Sequence, residues 1–172
     1  MGIRNLIVVS DTGPLLHLSE IGCINLLKYF DNIFIPESVR FEYYKHKKRS
    51  DPDVFELNNI ELRKVQDTKV KNFIETQNLF NLHAGEKDCL YLCSKLSIDS
   101  ILTDDLAVRD AAKKLKIIPV GSLGVIIRSF QENIIPLSLA EEHIMNLYEI
   151  SSLFVTKTIV DLAIEELRKV KK

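Results

Sequence analysis

The chain has 172 residues, and the usual domain size of about 100–200 residues makes that a single-domain length. A hydrophobic share of 46% and a charged share of 27% exclude a disordered chain, a collagen and a coiled-coil array. Lys plus Arg (23) and Asp plus Glu (24) cancel to −1, so no global field draws the chain to nucleic acid or anionic lipid, and any such partner must be held by a local patch.

Leu6, Ile7, Val8 and Val9 are continuously apolar and partly β-branched, the pattern of a strand buried on both faces of a parallel sheet. The run ends at Ser10-Asp11-Thr12-Gly13-Pro14, where Thr12 can cap a helix and Pro14 suits its first turn, so Asp11 falls at a strand-to-helix junction. Residues 15–20 and 24–30 read as short helices around Gly22, and residues 33–35 as a second strand stopped by Pro36. A helix over 37–45 follows, with Glu42 one turn in and three residues beyond Val39. Lys45, Lys47, Lys48 and Arg49 precede Pro52 in a stretch without apolar periodicity, which predicts an exposed loop. Residues 60–65 alternate as an edge strand does, and Val70, Phe73, Ile74 and Leu79 suit an amphipathic helix.

A further helix opens at Ala84 with acids in its first turn, and Cys89, Leu92, Cys93 and Leu96 recur on one face, which marks the two thiols as core. Residues 101–103 form a short strand ending in Asp104-Asp105, followed by a helix carrying Val108, Ala111, Ala112 and Leu115. A strand over 117–120, a helix over 121–130, a capping-box start at Ser138–Glu141 and an amphipathic helix over 156–169 complete the chain. The alternation predicts an α/β fold with a mainly parallel sheet. Residues 1–132 make the expected core, and residues 133–172 a helical extension packed on that core or on a partner.

Three cysteines, Cys23, Cys89 and Cys93, include no CxxC pair, and an odd number cannot complete an intrachain disulfide framework. Reduced thiols and a cytoplasmic location are expected. The longest stretch without a charged side chain, residues 117–127, is short of the ~18 needed to suggest a membrane span, so no membrane association is expected. Asp11 interrupts the first apolar run before a cleavage site could be placed, which argues for a strand over a signal peptide.

In an open parallel sheet, ligands bind beyond the carboxyl ends of the strands. Asp11 and the Asp104-Asp105 pair end strands there, and Glu42, Glu86 and Asp88 lie near helix starts expected at the same edge. Several carboxylates in one crevice repel one another, which favours raised pKa values or a bound hard cation. Mg2+ or Mn2+ would suit the oxygen ligands and leave room for phosphate and water, the chemistry of phosphodiester hydrolysis. Taken singly, Glu86 and Asp88 are more simply partners of a helix dipole. Asp104 and Asp105 are adjacent on an extended chain, and Glu86 and Asp88 are two apart on a helix, so neither pair is expected to present both acids to one cation.

Four blocks in order carry a family resemblance: Asp11-Thr12-Gly13-Pro14-Leu15-Leu16 after an apolar strand, Ile35-Pro36-Glu37-Ser38-Val39-Arg40-Phe41-Glu42, Gly85-Glu86-Lys87-Asp88-Cys89-Leu90, and Leu102-Thr103-Asp104-Asp105. Over about residues 6–130 the chain resembles the PIN-domain proteins, and among them the prokaryotic branch related to VapC-type toxins. The resemblance implies a three-layer α/β/α sandwich and a metal-dependent ribonuclease, with Mg2+ or Mn2+ held by acids. By position it implies Asp11, Glu42, Asp88 and Asp105 as catalytic acids, with Glu86 and Asp104 as further metal ligands, and leaves open which acid of each pair faces the site. Asp110 is either a supporting acid or an exposed helical one. The resemblance also implies an RNA substrate, a homodimer and an antitoxin protein as partner.

Other readings fit less well. Asp11-Thr12-Gly13 matches the triplet of aspartic proteases, but those are all-β and helical periodicity dominates here. Gly13 stands where a haloacid-dehalogenase phosphatase needs its second acid, and Gly121-Ser122-Leu123-Gly124 is not a nucleophile elbow. His17, His46, His83 and His143 lack zinc-like spacing and read as core or surface residues. Arg109 and the basic run after α-helical residue 45 are either phosphate contacts or solvated charges. A catalytically silent PIN-like scaffold that binds RNA or protein is the alternative to the nuclease.

Overall fold

The apolar run near the N-terminus forms strand β1 (Ile7–Ser10), in which Val8 and Val9 are buried. A computed structural model of the protein describes residues 6–170. In chain order β1 is followed by α1 (Thr12–Glu20), a 3₁₀ turn (Ile24–Tyr29), β2 (Asn32–Pro36), α2 (Glu37–His46), a second 3₁₀ turn (Val54–Glu56), β3 (Ile60–Arg63), α3 (Asp67–Gln77) and α4 (Ala84–Leu96). Then come β4 (Ser100–Leu102), α5 (Leu106–Lys114), β5 (Ile118–Val120), α6 (Ser122–Gln131), α7 (Leu137–Glu149) and α8 (Lys157–Val170).

The five strands form one all-parallel sheet in the order β3-β2-β1-β4-β5, with Val8 level with Ile33 and Val9 level with Ile101. Parallel neighbours need crossovers, and right-handed crossovers put helices on opposite faces when the chain moves in opposite directions across the sheet. The chain steps one way from β1 to β2 and the other way from β3 to β4. Helix α1 therefore covers one face, while α4 packs on the other across β1, β2 and β4. The three-layer α/β/α architecture expected from the sequence is the one observed. The strand order reverses between β1 and β4, and at such a switch point the loops beyond the carboxyl ends part to leave a crevice.

The core is made by Ile33, Ile35, Ile101 and Leu102 from the strands, with Leu15, Leu18, Val39, Cys89, Leu90 and Cys93 from the helices. Cys89 and Cys93 are fully buried and burial pushes both thiols up, so they are protonated packing groups, and all three cysteines are free. Fully buried Tyr43 sits one turn beyond Val39 and its hydroxyl accepts from the Val54 N–H at 3.2 Å, which fixes the rotation of α2.

Three local expectations are corrected. Residues 24–29 are a 3₁₀ turn, because six residues between Gly22 (φ 69°) and β2 are too few for a stable α-helix. Helix α1 starts at Thr12 itself, so its cap is Asp11, whose side chain accepts from the Thr12 N–H. Helix α7 starts at Leu137, which places Ser138 inside the helix, and Glu141 instead meets Arg168 of α8 at 2.6 Å. Helix α7 packs on α6, and α8 packs on α7. Among the described residues no helix is long and apolar enough to cross a membrane.

Candidate active site

The crevice at the switch point has a volume of about 420 Å³, and its lining includes Asp11, Glu42, Glu86, Asp104 and Asp105. Each acid is placed by a helix terminus or by a neighbouring helix. Asp11 caps α1, its Oδ1 accepting from the Thr12 N–H at 2.7 Å and its Oδ2 from the Thr103 hydroxyl at 3.2 Å. Asp105 caps α5 through the Val108 N–H at 3.0 Å. Glu86 closes the first turn of α4 by accepting from the His83 N–H at 2.7 Å. Glu42 reaches from α2 to accept from the Thr12 hydroxyl at 2.8 Å. Gly85 lets α4 pack closely on α2, since a Cβ there would stand a tight 3.3 Å from Val39 Cγ2.

The two acid pairs resolve differently. Glu86 lines the crevice, whereas Asp88, two residues on and so about 200° round α4, accepts from the Ser38 hydroxyl at 2.5 Å in a separate groove shared with Asp67 and Lys71. The period of the helix separates them. The structure therefore brings Glu86, and not Asp88, to the crevice with Asp11, Glu42 and Asp105. Asp104 and Asp105 both reach the crevice, contrary to the expectation that only one would, because the chain turns into α5 immediately after them.

Asp104 is nonetheless fully engaged. It accepts from the Ser122 N–H at 2.7 Å and the Ser122 hydroxyl at 2.5 Å, and it meets His17 Nδ1 at 2.7 Å. Its role is to hold the start of α6 and to orient His17, which also lines the crevice. His17 was read as core or surface; the signal that could have found it is its distance of four residues from Gly13, one helical turn along the face of α1 that borders the crevice. Gly121 makes the Asp104 contact possible, since a Cβ there would lie 2.6 Å from Asp104 Oδ1. Gly121→Ala is expected to displace that carboxylate and lower stability by about 1–2 kcal/mol, read as a lower urea midpoint. An unchanged midpoint would show that Asp104 holds nothing.

Burial pushes Asp11 up from 3.8 to about 7, against the Thr12 N–H that favours the charge; Glu86, and more weakly Glu42, push it further up. Glu86 is raised by burial first and then by Asp105 and Glu42. Asp88 is raised by burial and, separately, by Asp67. Asp11, Glu86, Glu42 and Asp105 are thus linked by mutual repulsion, while Asp88 answers to a different neighbour. Asp110 is exposed beside Lys113, and Arg109 donates to the Thr103 carbonyl at 3.3 Å.

A family model described as a PIN domain matches residues 7–169. The chain belongs to the PIN-domain family. PIN domains are generally nucleases and typically use divalent metal ions. The match includes α7 and α8, which lie beyond residues 6–130, the span of the sequence resemblance. No curated protein and no solved structure matches the chain significantly.

Among the described residues no group of three or more His, Cys, Asp or Glu side chains stands ready to hold a metal ion. The donors of this PIN-domain crevice still fit a hard cation. They are carboxylate oxygens, Mg2+ commonly takes only one or two of them with waters and substrate phosphates, and the buried Asp11 is the group a cation would relieve.

Proposed function

We propose that the protein is a metal-dependent ribonuclease that hydrolyses phosphodiester bonds at the switch-point crevice. The observation that carries this reading is Asp11: a buried carboxylate raised by its burial and by Glu86 and Glu42, at the first-strand position of a PIN domain. Asp11, Glu42, Glu86 and Asp105 would hold Mg2+ or Mn2+; Asp88 is left out because it does not line the crevice, and Asp104 because three groups of Ser122 and His17 already engage its carboxylate. A bound cation supplies neutralisation of phosphate charge and acidifies water. The chain's own groups do the positioning. Thr12 and Thr103 fix the two oxygens of Asp11, Thr12 also fixes Glu42, and the His83 N–H fixes Glu86, so the acids are oriented before substrate arrives. Asp104 holds His17 at the crevice wall.

The family resemblance extends the proposal to a toxin restrained by an antitoxin protein and acting as a homodimer. Exposed Ile159 and Leu162 on α8 are apolar side chains of the kind such a contact would cover. The test of the nuclease is cleavage of a labelled single-stranded RNA with millimolar Mn2+ or Mg2+. Cleavage is expected to stop on chelation and in Asp11→Asn. Cleavage that persists in both would overturn the metal reading. No cleavage, with RNA still bound, would favour the silent scaffold.

A further inference from the structure

The C-terminal helices bring a loop back to the crevice. Between α7 and α8, the Ser152 N–H and hydroxyl both donate to Glu20 Oε2 at the end of α1, at 2.6 and 3.0 Å. This tether sets Leu153 and Phe154 against the crevice mouth, opposite Leu106 at the start of α5. Phe154 is 94% exposed and Leu106 is 77% exposed. Single exposed apolar side chains are ordinary on a folded surface, but two facing one polar crevice form a plate beside the acids.

The same two residues line a second groove of about 440 Å³ that leads away from the crevice. Apolar side chains such as Leu123, Ile127 and Val155 make most of its lining, Arg109 and Arg128 supply its positive charge, and Asp104 stands at the end shared with the crevice. Asp104 is bound by Ser122 and His17, while neither arginine has a carboxylate partner among the described residues. The two grooves share Asp104, Leu106, Leu153 and Phe154, so the carboxylates, an apolar plate and two guanidinium groups without a carboxylate partner border one surface, Arg109 donating to the Thr103 carbonyl. A polyanionic chain with flat bases is the ligand that needs all three: backbone charge for the arginines and a base face for the plate. The net charge of −1 gives no general attraction, so binding depends on such a local track.

We infer that single-stranded RNA leaving the crevice stacks a base on Phe154 and Leu106 and then runs its phosphates between Arg109 and Arg128. This rests on the nuclease reading and assigns the C-terminal loop a positioning role in it. The strand must be single, because a paired base has no free face to offer the plate.

The test uses a fluorescein-labelled unstructured RNA decamer and the full chain carrying Asp11→Asn, with affinity read by anisotropy. Adding Phe154→Ala is expected to weaken binding about tenfold, and Phe154→Trp to restore it. The Phe154→Ala effect is expected to vanish on an abasic decamer, which a merely structural role for Phe154 would not produce. Arg128→Ala is expected to reduce the dependence of log affinity on log salt by about 0.7. Wild-type protein is assayed in parallel for cleavage of the same RNA with Mn2+. Cleavage together with affinities indifferent to Phe154 and Arg128 would overturn the track and leave the nuclease standing. Binding that depends on Phe154 without wild-type cleavage would support the track and overturn the nuclease. No binding of the decamer by any form would overturn both, and would give the groove to a protein partner.

Discussion

Replacing Asp11 by Asn is expected to raise the melting temperature of the metal-free protein at pH 8 by several degrees while reducing RNA cleavage at least about 1,000-fold. The stability half follows from linkage. Burial, with Glu86 and Glu42 nearby, raises Asp11 from 3.8 to about 7 in the folded chain. A carboxyl raised on folding contributes its stability in the protonated form, fully present below the unfolded value and lost as pH rises through the folded one. Above about pH 7 the wild type therefore carries a buried, repelled charge at a cost on the order of 4 kcal/mol, and Asn removes it. Asn also keeps the α1 cap, since its amide oxygen can accept from the Thr12 N–H as Asp11 does. The advantage is expected to shrink as pH falls below about 7 and to be gone below the unfolded value of 3.8, where the wild-type acid is protonated in both states. Millimolar Mn2+ should reverse the order at pH 8 by stabilising the wild type alone. Equal melting of the two metal-free proteins at pH 8 would show that Asp11 is not strained by its neighbours.

A site residue that destabilises its own fold also explains how the sequence could be read. Asp11 was legible because a buried parallel strand has an unmistakable apolar run and its end is where such sheets bind ligands. The Thr103-Asp104-Asp105 block was legible for the same reason. The choice within each pair was not, since it depends on the rotation of α4 and on a loop that turns at residue 105. Helix rotation is set by distant packing, here Val39 against Gly85, which local periodicity does not register. His17 was missed because a lone histidine carries no pattern; only its partner Asp104, 87 residues away, gives it meaning. The loop at Phe154 was equally silent, because nothing near residue 154 announces that Ser152 ties it to Glu20. The strands and helices were readable because each is specified by its own residues, and the crevice only in part because five segments build it.

Glu86 and Asp88 offer the sharpest separation of the site from its surroundings, because they lie on one helical turn and differ in what they face. Glu86→Gln is expected to lower cleavage about 100–1,000-fold while leaving the metal-free protein at neutral pH at least as stable as the wild type, since a raised charge is removed. A glutamine at this position still accepts from the His83 N–H, so the capping box at the start of α4 survives and only the charge facing Asp11 is lost. Asp88→Asn is expected to stay within about threefold of the wild type. Its carboxyl points at Ser38, its repulsion comes from Asp67, and an amide oxygen can accept the same hydroxyl. The two substitutions change the formal charge of α4 equally, so a difference between them reports geometry and not the net field of the helix. Initial rates at saturating Mn2+, with melting temperatures as the control for folding, decide between them. The opposite result, a dead Asp88→Asn beside an active Glu86→Gln, would move the chemistry to the groove between α2, α3 and α4, where Ser38, Asp67 and Asp88 meet.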